Sequence, residues 1–485
     1  MDISFIVPPS QFDLSFIDDP LVREKAWIKH VGNYSETWQP LDFAYSAEIL
    51  RENDHNPHII DANCDRLSPA DVIKRLDKIH PEVIFIASEQ YYNFLNPRLD
   101  WFGVKNLINE IKENFSNSLV VLSGPHPTIT PDIMLTETSA DLVIRGEIEG
   151  LILDIISKVN EKKLPKISGI SYKDKKGKTH HKGNIAYTKD LDWLPIPAYD
   201  LIPMERYHAS PFYSKLQGNK FSIVSSSRGC PFSCNFCLRT LGKKHRRRSL
   251  NFVIQEILKL NEIGIESIYF SDENFAFDRN YILEFAREII EYDLSIKWGF
   301  QTRVDSLGMS DLETLSKSNC IFISTGVESA SQQILDKNQK GTKKDDITKF
   351  IQNSRDFGID VGLFMLLFLP GENRETLKES VEFINGLGLK RVSFNIAIPY
   401  PKTKLYEMGI LEGVIDKNKN PWIEAAYSAG RVGTSFNDKE IVKMALKTNF
   451  RFMTYLLRHP RYLIDRIFNF GCIRESTINT IKYLS

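Results

Sequence analysis

Residues 221–237 read Phe221-Ser222-Ile223-Val224-Ser225-Ser226-Ser227-Arg228-Gly229-Cys230-Pro231-Phe232-Ser233-Cys234-Asn235-Phe236-Cys237. A β-rich run ends in a turn-prone Arg-Gly pair, so the three cysteines that follow occupy a loop at the carboxyl end of a strand. Thiolates are soft ligands suited to zinc or to an iron–sulfur cluster, and closely spaced cysteines can fold around one polynuclear centre. On a four-iron cluster three cysteines leave one iron without a protein ligand, and an open coordination position separates a reactive metal centre from a closed structural one. The residues themselves leave two alternatives open: a Cys₃His zinc site completed by His245, and three unrelated thiols. Cys-x₃-Cys-x₂-Cys is not the paired Cys-x₂-Cys spacing of zinc ribbons.

Downstream of this stretch, strand patterns near Ser222, Ile268, Trp298, Ile321, Gly362 and Val392 alternate with helical patterns over 252–263, 281–292, 311–318 and 345–357. Six such units fall short of the eight of a complete barrel, which predicts a partial, open (βα)6 barrel over 216–410. Upstream, strand patterns at 4–7, 58–61, 83–87, 119–122 and 142–144 alternate with helical ones at 41–50, 69–79 and 104–114. That pattern predicts a doubly wound, Rossmann-like α/β domain over 1–160, with ligands beyond the carboxyl ends of its strands. Between the two, 161–215 reads as a linker. Short β-like runs at 167–172 and 185–187 flank the polar segment KDKKGKTHHKGN as a hairpin, and the proline-rich DWLPIPAYDLIP follows. Residues 411–485 form a helical carboxyl-terminal extension.

A chain of 485 residues exceeds what one hydrophobic core organises, so two or three domains are expected. Its 42% hydrophobic and 26% charged residues exclude wholesale disorder and a fibrous chain. Lysine plus arginine and aspartate plus glutamate are both 62, so no global field recruits nucleic acid or an anionic membrane. Six cysteines are too few for a disulfide scaffold and turn attention to metal or redox chemistry. The opening residues MDISFIVPPSQFD lack a basic region followed by a long apolar stretch, so no signal peptide is expected. No uncharged run reaches the ~18–20 residues of a spanning helix. A cytoplasmic protein, peripheral at most at a membrane, is the expectation.

Cys230-x₃-Cys234-x-Phe236-Cys237 resembles the signature of the radical S-adenosylmethionine family, including the aromatic residue before the last cysteine. The resemblance implies a [4Fe-4S] cluster on Cys230, Cys234 and Cys237, with its open iron chelated by the amino and carboxylate groups of S-adenosylmethionine. It implies reductive cleavage of the sulfonium to a 5′-deoxyadenosyl radical, and a reductase or a flavodoxin- or ferredoxin-type electron donor. Later segments fit the same family at the expected strand order. Besides Phe236, the resemblance assigns to S-adenosylmethionine the residues Asp272 and Glu273 after the second barrel strand, and Arg303 after the third. Glu328 and Ser329 after the fourth and Gly371 after the fifth complete that set. Read without the resemblance, the carboxylates suit a helix cap or a surface turn, Arg303 a salt bridge to Asp305, and Pro370-Gly371 a turn.

Joined to this barrel, a doubly wound first domain resembles the cobalamin-binding subgroup of the family. The residues implied at a corrin are Ser88, then Gly124, Pro125 and His126, then Gly146 and Glu147, with the two glycines letting a planar ligand approach the backbone. No Asp-x-His-x-x-Gly occurs, so a cobalt-ligating histidine has no counterpart. His126 between two prolines reads equally as part of a rigid loop, and a domain without cofactor is the alternative. The basic run 243–248 lacks aromatic interleaving, so it is expected to clamp the cysteine loop, pair with acids or meet a redox partner, not nucleic acid. Ser249 is placed to cap the helix that follows. The tail stretches 450–458 and 461–468 are amphipathic and suit packing on the barrel or a membrane surface. The expected activity is functionalisation of an unactivated carbon of a small-molecule or lipid substrate, first of all cobalamin-dependent C-methylation. Radical carbon–carbon bond formation or cyclisation on an isoprenoid or other lipid, and a non-catalytic zinc-binding protein, are the alternatives.

Overall fold

Runs such as Val83-Ile84-Phe85-Ile86-Ala87 are apolar on both faces, and strands of that kind need helices covering both sides of their sheet. The structure, a computed structural model, describes residues 1–9, 38–89, 99, 101–159, 166–209, 211–216 and 220–457. In it β1 (Asp2–Val7), β2 (Asn56–Asp61), β3 (Val83–Ala87), β4 (Leu119–Ser123) and β5 (Leu142–Ile144) pair in parallel in the order β2-β1-β3-β4-β5. This is the flavodoxin-like doubly wound order, whose switch point lies between β1 and β3.

The hairpin departs from the sequence reading in two ways. Its strands, β6 (Ile170–Lys173) and β7 (Thr179–Lys182), are antiparallel additions to the first sheet, not a free connector. The second strand also begins inside the polar segment instead of at 185. Asp174 turns the chain early: its Oδ1 accepts the N–H groups of Lys176 (2.9 Å) and Lys178 (3.0 Å). A strand at a sheet edge tolerates the polar Thr-His-His-Lys that results.

The second sheet runs β8 (Phe221–Val224), β11 (Ser267–Phe270), β12 (Lys297–Gln301), β13 (Cys320–Glu328), β14 (Asp360–Leu367) and β15 (Arg391–Ile396), all parallel and in sequential order. All six expected barrel strands are present. Between β8 and β11 a small antiparallel ribbon pairs β9 (Ser227–Arg228) with β10 (Arg246–Arg247). Ser249 stands at the N-cap of the helix Leu250–Glu262, but its side chain makes no cap bond. Its N–H donates to Asp192 Oδ1 (2.7 Å) instead.

The floor of the barrel is packed solid. Tyr213 lies edge-on to Tyr269 (4.8 Å between centroids) and Phe322 (5.6 Å), and Phe212 lies against Phe364 (5.0 Å). Glycines on two strands make the room. A Cβ on Gly299 would sit 2.7 Å from Leu216 Cδ1, and one on Gly362 2.7 Å from Phe322 Cζ and 2.8 Å from Phe212 Cζ. The first unit also closes the open edge: the buried Gln39 amide donates to Phe221 O (2.9 Å) and accepts from Ile223 N–H (3.1 Å), as a neighbouring strand would.

Past β15 the helices Lys404–Leu411, Pro421–Tyr427 and Asp438–Leu457 follow, the last covering part of the expected helical tail. The stretch 461–468 and Cys472 lie outside the described residues. Among the described residues, no helix is long and apolar enough to cross a membrane. Replacing Gly362 by alanine forces a methyl group into the aromatic floor, and overpacking of this kind costs ~1–3 kcal/mol. The thermal unfolding midpoint of the variant is expected to fall, as circular dichroism would record.

Candidate active site

The cysteine loop is built on its own backbone bonds. Cys230 N–H donates to Gly242 O (3.1 Å), Cys237 N–H to Cys234 O (3.2 Å), and Arg239 Nη1 to Phe232 O (2.6 Å). Gly229 takes φ +89°, and a Cβ there would lie 2.3 Å from Lys244 O, so only glycine closes the neck this tightly. Asn235 ties the loop to the far side of the barrel, its N–H donating to Asn338 O (3.1 Å) and its carbonyl accepting from Leu405 N–H (2.9 Å). Phe236 packs beside Ile334, Leu369 and Leu405.

Burial, and then the neighbouring Cys234 and Cys230, push the Cys237 thiol up; burial does the same to Cys230. The sulfurs thus share one neighbourhood. The charges bearing on His245 are those of Arg247, Asp278 and Arg246, and its ring packs on Phe277 (4.7 Å between centroids). Among the described residues no three His, Cys, Asp or Glu side chains converge on a single ion, and thiolates around a polynuclear cluster stand farther apart than those around one ion.

Two of the expected carboxylates support this loop. Asp272 accepts from Ser226 N–H (2.9 Å), Ser226 Oγ (2.6 Å) and Ser227 Oγ (2.6 Å), and burial raises it to about 6. Its oxygens accept these bonds from the segment that leads into the cysteines. Glu273 accepts from Gly229 N–H (2.8 Å), and burial raises it to about 7. Arg303 forks onto Asp305 (2.9 and 2.7 Å), donates to Lys340 O (2.7 Å) and lies over the Phe232 ring (4.0 Å). The salt bridge to Asp305 is therefore the observed arrangement. Ser329 is buried below the strand end, 3.3 Å from Glu372 Oε1 and 3.2 Å from Ser380 Oγ. Gly371 gives its N–H to Gly433 O (2.8 Å), and a Cβ there would meet Lys337 Cδ at 2.8 Å. Its glycine serves the chain's own packing.

Glu328 is held differently. It takes φ +68°, uncommon for a non-glycine residue, and folds back over Gly326, where a Cβ would lie 2.1 Å from its Oε1. Its partner is the buried Lys340, whose Nζ donates to Oε1 (3.0 Å) and whose charge is also felt by Cys230 and Cys237. Buried polar atoms without partners stand nearby on the barrel: Ser225 Oγ after β8, Asn274 Nδ2 after β11 and Asn395 Oδ1 on β15. A polar ligand would satisfy such groups, which are costly to leave unpaired.

In the first unit, Gly124 (φ +106°) and Gly146 (φ +108°) turn the chain at the carboxyl ends of β4 and β5. Their missing side chains make room for the protein itself. A Cβ on Gly124 would lie 2.6 Å from Glu89 O and Ser88 Oγ, and one on Gly146 2.0 Å from Ala186 O. Pro125 opens a short helix, Pro125–Ile129, and the buried His126 stacks on Trp422 (4.5 Å) with Nδ1 3.2 Å from Ser88 Oγ. The oxygens of Glu147 take Arg228, Arg246 and Thr188 N–H, across the seam between the two sheets.

Residues 224–384 match the radical SAM superfamily and residues 29–156 the B12 binding domain. The chain is 31% identical over 477 residues, 96% of its own length and 95% of the relative's, to an uncharacterized methyltransferase, PH0819, of Pyrococcus horikoshii. It belongs to the radical SAM superfamily, in the group that carries a B12-binding domain. This radical SAM enzyme is also 23% identical over 462 residues to the cytidylyl-2-hydroxyethylphosphonate methyltransferase of Streptomyces wedmorensis, covering 84% of the chain and 85% of the relative. Among solved structures it shares its fold with the cobalamin-dependent S-adenosylmethionine radical enzyme OxsB (TM-score 0.70, 18% identity, 100% of this chain and 75% of that one). The methyltransferase TsrM of Kitasatospora setae is a second such neighbour (TM-score 0.64, 14% identity, 87% and 79%).

Sequence reasoning missed three features of this B12-binding radical SAM enzyme. Lys340 sits in the hydrophilic run Asn338-Gln339-Lys340-Gly341-Thr342-Lys343-Lys344, which looks like surface, yet it is buried. Glu149 beside Glu147 and Trp422 in a distant helix carried no local signal; Trp422 Nε1 donates to Thr130 Oγ1 (2.7 Å) across the seam. Of the basic run, Arg246, Arg247 and Arg248 pair with Glu147, Asp278 and Glu256, as the acid-pairing reading expected.

Glu372 is a further buried carboxyl, raised by burial from 4.5 to about 8 while accepting from Leu369 N–H (3.1 Å). Its folded form binds a proton that the unfolded form releases, so its contribution to stability is full below about pH 4.5 and is lost as pH rises through about 8. Thermal midpoints of the wild type are expected to decline over this window. Those of Glu372→Gln, which cannot ionise, should decline less steeply when both proteins are scanned across the same buffers.

Proposed function

We propose that this radical SAM enzyme methylates an unactivated carbon of a small-molecule or lipid substrate. The observation carrying this reading is that the carboxyl ends of both sheets meet: the cysteine loop after β8 is bolted by Arg228 and Arg246 to the segment after β5. When bound, a [4Fe-4S] cluster with S-adenosylmethionine supplies a carbon radical, and cobalamin supplies the methyl group. Methyltransferases among the relatives support the transfer.

The residues take the following roles in this reading. Cys230, Cys234 and Cys237 hold the cluster, and Asp272 and Glu273 fix the loop that presents it. Lys340 and Glu328, with the unpartnered atoms Asn274 Nδ2 and Asn395 Oδ1, face the nucleotide side of the barrel top. Ser88, Gly124, Pro125 and His126 form the carboxyl edge of β3 and β4 beside the switch point, where a corrin would lie without a histidine ligand. The closed aromatic floor keeps water from entering from below, which protects a short-lived radical. An external one-electron donor is required, and the exposed Lys243 and Lys244 lie beside the loop to meet it. The reading places the enzyme in the cytoplasm, where the cluster is protected from oxidation.

Replacing any one of the three cysteines by alanine is expected to abolish 5′-deoxyadenosine formation in anaerobically reconstituted protein, scored by chromatography. Undiminished formation in such a variant would contradict the ligand assignment. A second reading, carbon–carbon bond formation or cyclisation, is favoured by 26% identity over 395 residues to an anaerobic magnesium-protoporphyrin IX monomethyl ester cyclase of Rubrivivax gelatinosus. Methyl-labelled S-adenosylmethionine separates the two. Mass spectrometry of a host extract incubated with the holoenzyme should find the label in a product; an unlabelled, cyclised product would select the second reading.

A further inference from the structure

The three-cysteine loop leaves and re-enters the fold through one neck, the ribbon in which β9 and β10 pair Arg228 opposite Arg246. Both arginines point at the first unit. Arg228 reaches Glu147 (2.9 Å) through Nη1 and Glu149 (2.8 Å) through Nη2, and Arg246 reaches the other Glu147 oxygen through Nη2 (2.7 Å). The four side chains are 1, 6, 2 and 1% exposed for Arg228, Arg246, Glu147 and Glu149. Arg246 also donates to Thr188 O (2.6 Å) and Leu241 O (2.7 Å), and Thr188 N–H donates back to Glu147 (2.9 Å).

Buried charges are tolerated only when each is paired and hydrogen-bonded, and here the partners of the two arginines sit on the other sheet. The neck therefore has these carboxylate partners while the B12-binding unit is docked. Cys230 is two residues beyond Arg228, and the intervening Gly229 is tied by its N–H to Glu273 (2.8 Å) and packed against Lys244 O.

We propose that Glu147 and Glu149 are positioning residues for the cluster: the B12-binding unit, through these two carboxylates, sets the geometry of the loop that holds it. The inference rests on the reading of Cys230, Cys234 and Cys237 as cluster ligands. Neither glutamate touches a cofactor in it; both act through the arginines.

The test compares the anaerobically reconstituted wild type with Glu147→Gln and Glu149→Gln, each with cobalamin bound. Four quantities are read: the rate of iron loss to a chelator, the change in the reduced cluster's paramagnetic resonance spectrum on adding S-adenosylmethionine, the corrin absorbance and the thermal midpoint. In the variants iron loss should speed up about tenfold, the scale on which outer-shell partners of a metal site act. The spectral response to S-adenosylmethionine should weaken and the midpoint should fall, since an arginine is left buried with fewer partners, while corrin retention is little changed. Glu147→Gln should act more strongly than Glu149→Gln, because Glu147 holds both arginines. If Glu147→Gln does not fold, Glu149→Gln, which loses one partner only, decides the matter. Folded variants with wild-type iron retention and spectra overturn the proposal, as does loss of corrin in parallel with loss of the cluster, which marks ordinary seam packing. A wild type that takes up no cluster overturns the parent reading, and this one with it.

Discussion

Two arginines and two glutamates buried at the seam between the sheets are the constraint on which the rest of the site depends. Each charge removed from water requires a partner of opposite sign and a full set of hydrogen bonds. Arg228 and Arg246 find carboxylates on Glu147 and Glu149, so the neck of the cysteine loop and the carboxyl edge of the first sheet are a single electrostatic unit. Other buried polar contacts cross the seam in the same sense. Tyr45 and Arg248 converge on Glu256, Tyr207 on Asp61, and Trp422 on Thr130. A seam this polar specifies one docking geometry where an apolar one would allow sliding.

That geometry gives the barrel a top and a floor of opposite character. The floor is aromatic and closed, its glycines at 299 and 362 shaped to Leu216, Phe212 and Phe322. The top collects serines, asparagines, the Glu328–Lys340 pair and the cysteines. Ligands at strand carboxyl ends are the rule for parallel βα folds, and here both sheets obey it toward the same seam. Radical chemistry needs two cofactors and a substrate in one dry space, and the facing edges supply the walls of that space.

Several residues singled out by family likeness turned out to support the site from behind. Asp272, Ser329, Gly371 and Glu147 each have their polar groups or free space taken by the protein. At a strand end some side chains point toward the cavity and others into the loops beneath it. Motif position alone does not distinguish the two. Lys340 illustrates the converse, a lysine in a surface-like run that folds inward because Glu328 waits there with an unpaired carboxylate.

By itself the sequence determined what is local and periodic. Apolar runs placed all five parallel strands of the first sheet and all six of the second, and the cysteine spacing named the metal loop, because these signals are carried by residues adjacent in the chain. The second hairpin strand escaped it, since a turn at Asp174 overrode the polar composition that follows. Tertiary structure alone decided which polar groups satisfy one another. The partners of Arg228 and Arg246 lie 79 to 99 residues away along the chain, and burial makes each such pairing obligatory while leaving no trace in the composition on either side.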